Sequence, residues 1–294
     1  MKKYEIDWNT FIKAFPTDRQ CIEYFQRLKW GNGFLCSRCG CNECWSISEI
    51  KFKCKNCGYQ STLTTGTMFQ NSHLPLLQWF RAIWYIVSCR GAVDATEFQK
   101  AVNIGSNRTA LSVLNKIRDV MGQIEKEKLS GIVYVDYFRI FTRTKKELKD
   151  AYIAIAKDDN NFMRIKMKLK KAHTTEDIGE FIENCIAEES TVVSAKVNFL
   201  GYYGEFNKRL PHNYRYKASD KIGADNRLPI TKKILTYLKD RQLINVHQGS
   251  CSLAHSERYL SECCYKFNRR NKKSDKMFNE ILKFMIRNEI SDNS

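Results

Sequence analysis

The chain is poor in the residues that break secondary structure. Only four of its 294 residues are proline and 14 are glycine, and no Pro-rich, Gly-rich or repeated segment occurs, so linkers are expected to be short. No apolar run approaches the roughly 20 residues of a membrane-spanning helix, which argues against a membrane protein. Residues 1–7 lead into an amphipathic stretch rather than an apolar signal segment, so we expect a reducing compartment for the chain.

Acidic residues are also under-represented. Lys and Arg number 49 against 32 Asp and Glu, which gives a formal net charge of +17. Such an excess favours a polyanionic partner, although lysines that only keep the surface soluble are the plainer alternative. With 43% hydrophobic and 12% aromatic residues, the chain can form real cores, and its length allows two or three small domains.

Cysteine, by contrast, is abundant, and a doubled Cys-x2-Cys pattern stands out. Its members are Cys36, Cys39, Cys54 and Cys57. Each pair is followed by a glycine, Gly40 or Gly58, that permits a tight turn around a metal ion. The sequence therefore predicts one structural Zn2+ held by four thiolates.

Other interpretations of these cysteines are weaker. Buried apolar thiols or a disulfide framework are the general alternatives. Cys41 and Cys44 repeat the same spacing and compete as ligands. We place them second, because the flanking pattern Phe-x-Cys-x-x-Cys-Gly occurs around both pairs of the chosen set.

Helical patterns lie on both sides of the cysteine pairs. A helix predicted over 18–30 is expected to pack on the zinc ribbon. After the ribbon, a long apolar helix is predicted over 75–89. A capping-box-like start at 94–97, a tight turn at 103–105 and a second helix over 106–121 then follow. This order is typical of a helix-turn-helix unit.

The second helix of that unit has two different faces. Its apolar positions are Ala110, Leu114, Ile117 and Met121. Its other face is polar and basic and consists of Asn107, Arg108, Ser112, Asn115, Lys116 and Arg118. Such a face suits the major groove of DNA, whereas an ordinary solvated helix face is the alternative. Beside a zinc ribbon and a large positive charge, we favour DNA.

The second half of the chain changes to a mixed pattern. We predict strands at 132–136, 151–156 and 163–169, a helix from 174 or 175, a strand at 191–197, and helices at 256–269 and 276–290. Three strands, a helix and a fourth strand match the opening of an RNase H-like domain. The first strand is expected to end in the carboxylate of Asp136.

Seven segments together resemble the zinc-ribbon insertion-sequence transposases. They are Phe15-Pro16-Thr17-Asp18, Leu28-Lys29-Trp30, Cys36-Ser37-Arg38-Cys39-Gly40, Thr65-Gly66-Thr67, Val133-Tyr134-Val135-Asp136, His247-Gln248-Gly249 and Tyr265-Lys266-Phe267-Asn268-Arg269-Arg270. The resemblance implies an RNase H-like domain of the DDE-type superfamily, which binds the inverted-repeat ends of its element and cuts and joins DNA. It also implies a homodimer or higher oligomer on DNA. The implied location is cytoplasmic and nucleoid-associated in bacteria, or nuclear for a eukaryotic relative.

The resemblance assigns Asp136 as the first catalytic aspartate. DNA cleavage of this type uses carboxylates that hold two divalent ions, Mg2+ or Mn2+, about 3.5 to 4 Å apart. The other expected groups are missing. Ala195 stands where the family has its second aspartate, Ala254 where it has a lysine, and Tyr237 where a polar residue precedes Leu-Lys in the preceding helix.

Two explanations of these losses stay open. In one, the second carboxylate is shifted along the chain to Asp220, Asp225, Glu188 or Glu189. In the other, which we favour because three positions fail together, the chain has kept its DNA-binding residues and lost catalysis. Asp136 alone is then a turn residue at a strand end.

A basic cluster near the C-terminus is a further DNA-binding candidate. It consists of Lys266, Arg269, Arg270, Lys272, Lys273 and Lys276. The alternative is a solvated helix end that the helix dipole favours.

The sequence thus predicts a multidomain α+β protein. Its parts are an N-terminal helical segment at 1–30, a zinc ribbon at 31–66, a helix-turn-helix unit at 67–128 and an RNase H-like mixed-sheet domain with C-terminal helices at 129–294. The favoured function is a transposase-like protein that binds double-stranded DNA, with structural Zn2+ and with Mg2+ or Mn2+ only if catalysis survives. The alternatives are an active transposase with a shifted acid, a domesticated DNA-binding regulator, and an RNA-binding or scaffolding protein.

Overall fold

A computed structural model describes most of the chain. The described residues are 6–31, 33–89, 91–140, 149–158, 162–170, 174–195, 210–219, 227–241 and 253–287. The helices are α1 (Trp8–Ala14), α2 (Asp18–Trp30), α3 (Leu76–Ser88), α4 (Ala95–Val102), α5 (Asn107–Ile124), α6 (Thr175–Cys185), α7 (Pro229–Asp240), α8 (Leu253–Asn268) and α9 (Ser274–Arg287). The strands are β1 (Cys44–Ser48), β2 (Lys51–Cys54), β3 (Gln60–Thr62), β4 (Ile132–Ile140), β5 (Lys149–Lys157), β6 (Met163–Leu169), β7 (Thr191–Ala195) and β8 (Arg215–Ser219).

The fold is mixed α+β, as predicted, and divides into two compact units. The first contains α1 to α4, the greater part of α5, the sheet β1-β2-β3 and α9, and the second contains the remaining elements. In the described part of the chain, no helix is both long enough and apolar enough to cross a membrane.

Helix α3 lies at the centre of the first unit. Nine of its thirteen residues are buried, because the helix is apolar around most of its circumference. The predicted helix over 75–89 is therefore confirmed. Its Phe80 ring lies edge-on to Phe15 of the N-terminal segment, with centroids 5.0 Å apart, and to Phe278 of α9 at 5.5 Å.

The position of α9 differs from the sequence-based domain boundaries. Residues 274–287 were expected in the RNase H-like domain, whereas the structure groups α9 with the first unit. The apolar stripe of α9, which includes Met277 and Phe278, packs there among aromatic rings such as Trp84. An amphipathic pattern shows that a helix buries one face but does not show which core receives it.

A five-stranded mixed sheet forms the second unit, in the order β6-β5-β4-β7-β8. Strands β4, β5 and β6 are antiparallel neighbours, and β7 runs parallel to both β4 and β8. The predicted succession of three strands, a helix and a fourth strand is confirmed. The strand β8 was not predicted, and β4 continues four residues beyond Asp136 rather than ending there.

Both faces of this sheet are buried. Alternate β5 residues pack on opposite faces of the sheet. Ile153 and Ile155 pack with α7 and α8, whereas Tyr152 and Ala154 pack with α6. The unbroken apolar run of β5 over residues 151–156 is expected for a central strand with helices on both faces. The sheet with helices on both sides sets the environment of Asp136.

The outer edge of β6 is covered by the end of α8. Asn268 accepts a hydrogen bond from the Ile165 N–H at 2.8 Å and donates one to the Ile165 carbonyl at 3.0 Å. Arg270 donates to the Met163 carbonyl at 2.9 Å. These side chains satisfy backbone groups that an edge strand otherwise leaves unpaired.

Candidate metal and nucleic-acid sites

The four predicted zinc ligands converge in the first unit. The Sγ atoms of Cys36, Cys39, Cys54 and Cys57 all lie within 4.8 Å of one another. Two tight turns bring them together. The Gly40 N–H donates to the Cys36 carbonyl at 2.9 Å, and the Gly58 N–H donates to the Cys54 carbonyl at 3.1 Å. Both glycines have φ near +70°, at +71° and +68°, a backbone conformation that disfavours a side chain.

The spacing of the sulfur atoms fits a zinc ion. Thiolates bound to one tetrahedral Zn2+ at about 2.3 Å are about 3.8 Å apart. Here the Cys36 and Cys57 sulfurs are 3.7 Å apart, and those of Cys39 and Cys54 are 3.5 Å apart. The Cys41 N–H stabilises the thiolate of Cys39 and lowers its pKa to about 6. The tetrad is consistent with structural zinc.

The competing cysteines are placed differently. The Cys41 Sγ accepts a hydrogen bond from the Glu43 N–H at 3.4 Å, and Cys44 lies in β1 opposite Cys54. Among the described residues, the group of metal-ligating side chains contains neither of them. The preference for the flanking Phe-x-Cys-x-x-Cys-Gly pattern is therefore supported by the geometry.

Aromatic packing joins the ribbon to α2. The Trp30 ring at the end of α2 lies 4.9 Å from Phe52 of β2 at 89° and 5.3 Å from Phe34. Lys29 donates to the Leu63 carbonyl at 2.7 Å. The predicted packing of this helix on the ribbon is confirmed.

Helices α4 and α5 are joined by a short turn. Asn103 adopts φ +58°, and the Ile104 N–H donates back to the Gln99 carbonyl at 3.0 Å, which ends α4. Ser106 precedes α5, and its hydroxyl accepts from the Thr109 N–H at 3.5 Å. The predicted cap at Ser106 is thus in place, although α5 extends to Ile124.

The candidate DNA-binding residues of α5 differ in exposure. Asn107, Arg108 and Ser112 are exposed, whereas Asn115 and Lys116 are half-buried. The Lys116 ammonium lies 5.6 Å above the Trp79 ring. An open cleft of ≈ 570 Å³ runs along the start of α5, with Ser112 and Lys116 in its wall.

Arg118, by contrast, is buried, because it lies on the same side of α5 as the core residues. Only the first two turns of the helix therefore present the polar stripe fully to solvent.

The C-terminal candidates serve internal contacts in the second unit. Lys266 is only 6% exposed, and its ammonium bonds to the Glu262 carboxylate and the Gly91 carbonyl, each at 2.7 Å. This placement corrects the assignment of Lys266 to a DNA path on the surface, since a buried, ion-paired lysine does not reach a phosphate. The helical spacing of Glu262 and Lys266, four residues apart, favours such a pair.

Arg269 and Arg270 also have partners within the unit. The Arg269 guanidinium pairs with the Glu125 carboxylate and lies 4.1 Å from the Tyr265 ring centroid. The Arg270 guanidinium lies 3.8 Å from the Phe162 ring centroid. Arg270 thus holds the end of α8 against β6, whereas Arg269 pairs with an acid that follows α5. Lys272, Lys273 and Lys276 belong to the first unit, where all three are exposed.

Asp136 lies inside the second unit rather than at a strand end. Its side chain is fully buried, and its carboxylate accepts hydrogen bonds from the Leu228 N–H at 3.0 Å and the Tyr137 N–H at 2.9 Å. Burial raises the pKa of Asp136, and these two backbone donors oppose the increase. Both carboxylate oxygens are thus engaged by the protein itself.

The neighbouring strand offers Asp136 no carboxylate at the expected position. The parallel pairing of β4 with β7 runs to Tyr134 and Val193, and the same register continued by two residues aligns Ala195 with Asp136. Ala195 is buried and pairs with Ser219 on its other side. The assignment of Ala195 to the position of the second aspartate stays a prediction.

Four acids were considered as the second catalytic carboxylate, and only two of them lie among the described residues. Glu188 and Glu189 are exposed and lie in the turn before β7, whose first residue, Thr191, pairs with Ile132, four residues before Asp136. Asp220 and Asp225 lie outside the described residues, as do His247 and Gly249. Ala254 falls in α8, and Tyr237 in α7 packs against Phe267 with centroids 5.5 Å apart.

Comparison with known proteins identifies the N-terminal part of the chain. Residues 16–60 match the family model of the transposase zinc-ribbon domain. An uncharacterized protein in the transposable element ISH50 of Halobacterium salinarum is 27% identical over 145 residues. Residues 16–60 are therefore similar to the zinc ribbon of insertion-sequence transposases, and about half of the chain is similar to a protein of a transposable element. The resemblance stated from its sequence motifs is therefore confirmed.

These similarities have a limited extent. The matched segment covers 47% of this chain and 47% of the halobacterial protein, so less than half of that protein's length is aligned. A chain from the simian T-cell lymphotropic virus intasome in complex with PP2A regulatory subunit B56 gamma is 13% identical, covering 55% of this chain and 63% of that one. Its TM-score of 0.28 supports no statement about the fold.

Two features of the structure were not predicted from the sequence. Glu262 was not singled out, although an acid four residues before Lys266 was the available signal for a pair. Trp45 and Ile47 in β1 are exposed by 53% and 51%. The alternation of large apolar and polar residues over 44–48 was the available signal, because it predicts a strand with one outward row.

Proposed function

We propose that this transposase relative binds double-stranded DNA at the ends of a mobile element through a helix-turn-helix formed by α4 and α5. The observation that carries the proposal is the polar stripe at the start of α5, where Asn107, Arg108 and Ser112 are exposed. The start of the second helix is the part that contacts base edges in helix-turn-helix proteins.

The chemistry of the stripe suits base recognition. Arginine forms paired hydrogen bonds with guanine, and asparagine forms them with adenine, in the major groove. Arg108, Ser112 and Lys116 follow one another at intervals of four residues, so they share one side of α5. The formal net charge of +17 supplies the electrostatic attraction that nucleic-acid binding needs.

We further propose that the chain has lost two-metal DNA cleavage. Such catalysis needs at least two carboxylates around a pair of divalent ions. Asp136 directs both oxygens to backbone N–H groups, and Ala195 occupies the adjacent register position. Bound zinc in the ribbon would supply structural rigidity, since all four protein ligands of the tetrad are thiolates and a closed tetrahedral site leaves no position for a substrate.

Fluorescence anisotropy tests the binding half of this proposal. The probe is a labelled duplex with the inverted repeats that flank the gene, and a scrambled duplex is the specificity control. Arg108→Ala should weaken binding to the repeat by about 5- to 100-fold, since one base contact contributes about 1–3 kcal/mol. The matched control is Arg19→Ala on α2, an exposed arginine that should leave binding nearly unchanged. Equal losses in both variants would contradict recognition by α5.

A nicking assay tests the catalytic half. The wild-type protein is incubated with the same duplex and Mg2+ or Mn2+, and we expect binding without strand cleavage. Cleavage that disappears in Asp136→Ala would overturn the proposed loss of catalysis and direct the search for a second acid to Asp220 and Asp225. Assembly of two copies on paired ends stays a prediction, which the mass of the protein–DNA complex measures.

A further inference from the structure

The zinc-ribbon sheet has an outward face with an unusual composition. In β2, Phe52 and Cys54 are buried, whereas the alternating residues Lys51 and Lys53 are exposed. Trp45 of β1 lies opposite Lys53 and shares this outward face, with 53% of its surface exposed. A tryptophan that exposed contributes little to the core, so packing does not account for its presence.

The register of the three strands arranges these side chains in rows. Trp45 pairs with Lys53, and Lys53 pairs with Gln60 of β3. The Lys53 ammonium lies 5.9 Å from the Trp45 ring centroid. In the next row, Lys51 pairs with Thr62. An aromatic ring, two ammonium groups and neutral hydrogen-bonding side chains therefore lie side by side.

The charge of this face is positive. Its outward strand positions hold lysine, tryptophan, isoleucine, serine, glutamine and threonine but no acid. Of the acids at its borders, Glu43 pairs with Lys55 at 3.2 Å, and Glu49 lies in the turn between β1 and β2. The face thus complements a polyanion that also offers flat rings.

We propose that this face is a binding surface for single-stranded DNA, with one unpaired base stacked on Trp45 and the flanking phosphates near Lys51 and Lys53. Base stacking on aromatic side chains beside basic residues is the general mode of single-strand binding. In a duplex, neighbouring base pairs cover the faces of each base, so only an unpaired base offers its ring to Trp45. The inference goes beyond the proposed duplex recognition, because it concerns a different surface and a different form of DNA.

A second copy of the chain fits this face less well. Pairing two such faces would bring the lysines of both copies together, and the centres of protein interfaces are depleted in charge. The register between β1 and β2 is irregular between Ser46 and Ser48, and a bulge of this kind disfavours edge-to-edge addition of another strand.

The test uses the zinc-loaded full-length protein and a labelled 15-nucleotide oligo(dT). Trp45→Ala should weaken binding by at least about fivefold, while Trp45→Phe should retain most of the affinity, because stacking needs a ring. Lys53→Gln should weaken binding and reduce its dependence on salt. The matched controls are Ile12→Ala and Lys13→Gln, both exposed on α1, which should leave the affinity unchanged. Equal zinc content in all variants checks the fold.

Three further measurements distinguish single-stranded DNA from duplex DNA and from a second copy of the chain as the partner of this face. Affinity for a duplex should fall in Arg108→Ala but not in Trp45→Ala, so the two proposals fail separately. Photocrosslinking to oligonucleotides with 5-iodouracil should label the peptide that contains Trp45, and a crosslink only elsewhere would overturn the proposal. An unchanged oligo(dT) affinity in Trp45→Ala, or a free dimer that this variant converts to a monomer, would also overturn it.

Discussion

The carboxylate of Asp136 in β4 accepts a hydrogen bond from the Leu228 N–H at 3.0 Å, and Leu228 is the residue immediately before α7. This bond places a negative group at the N-terminal end of a helix, where the aligned peptide dipoles favour it. The first helical residue, Pro229, lacks an N–H of its own. Asp136 therefore links the central sheet to α7.

Removal of this carboxylate should destabilise the protein. Asp136→Ala leaves the buried N–H groups of Leu228 and Tyr137 without their acceptor, which costs about 1–3 kcal/mol for each group. We expect the loss in urea unfolding of the second unit. The matched control is Asp240→Ala at the exposed far end of α7, which should change the free energy of unfolding by less than about 0.5 kcal/mol. Equal stability of the Asp136→Ala and wild-type proteins would contradict the linking role.

The raised pKa of Asp136 predicts a pH dependence. The folded protein holds this proton more tightly than the unfolded chain does, so stability falls as pH rises through the interval between the two pKa values. That interval begins near the ordinary aspartate value of about 4. The stability of the wild type relative to Asp136→Asn should therefore decrease as pH rises above that value, with zinc in excess in both samples. A difference that grows with pH would show that the folded-state pKa is lowered instead.

The zinc ligands should be separable from the neighbouring cysteines. Cys54→Ser should abolish stoichiometric zinc binding and lower the stability of the ribbon, because a closed four-cysteine site contributes directly to folding. Cys41→Ser and Cys44→Ser are matched controls in the same segment and should keep one zinc per chain. Elemental analysis of purified protein measures both results, and zinc loss in Cys41→Ser would require a different ligand set.

The buried Lys266–Glu262 pair predicts an unequal response to single and double substitution. Lys266→Met leaves the buried Glu262 carboxylate without this cation and should cost about 3–5 kcal/mol. The double variant with Glu262→Gln removes both charges and keeps an amide oxygen for the Val93 N–H, which bonds to Glu262 at 3.0 Å. It should lose less stability than Lys266→Met alone. Urea unfolding measures the order, and additive losses would contradict a coupled pair.

Local signals in the sequence predicted much of the candidate site. The zinc tetrad and its two glycine turns depend on residues close together in the chain, so spacing alone was enough to find them. The turn between α4 and α5 and the cap at Ser106 are local for the same reason. Alternating and helical apolar patterns predicted β4 to β7 and α6, because burial imposes those periods on each element separately.

Predictions that depended on distant partners were less complete. From its sequence context, Lys266 was predicted to be a surface cation. In the structure it is covered by the segment around Gly91 and Val93, which lies more than 170 positions earlier in the chain. From its sequence context, Asp136 was predicted to end a strand. In the structure β5 pairs with β4 from Val133 to Ile140, so the strand continues beyond Asp136. In both cases the deciding contact comes from an element that the local pattern does not contain.

The sequence by itself determined the spacing of the four cysteines, the succession of β4 to β7 with α6, and the positive charge, because each of these depends on residue type and short spacing. Only the tertiary structure decided that Ala195 stands beside Asp136, that α9 joins the first unit and that Trp45 remains outside the ribbon core. These three facts depend on strand register and on which apolar faces meet. The free energies involved are sums over contacts between residues far apart in the chain.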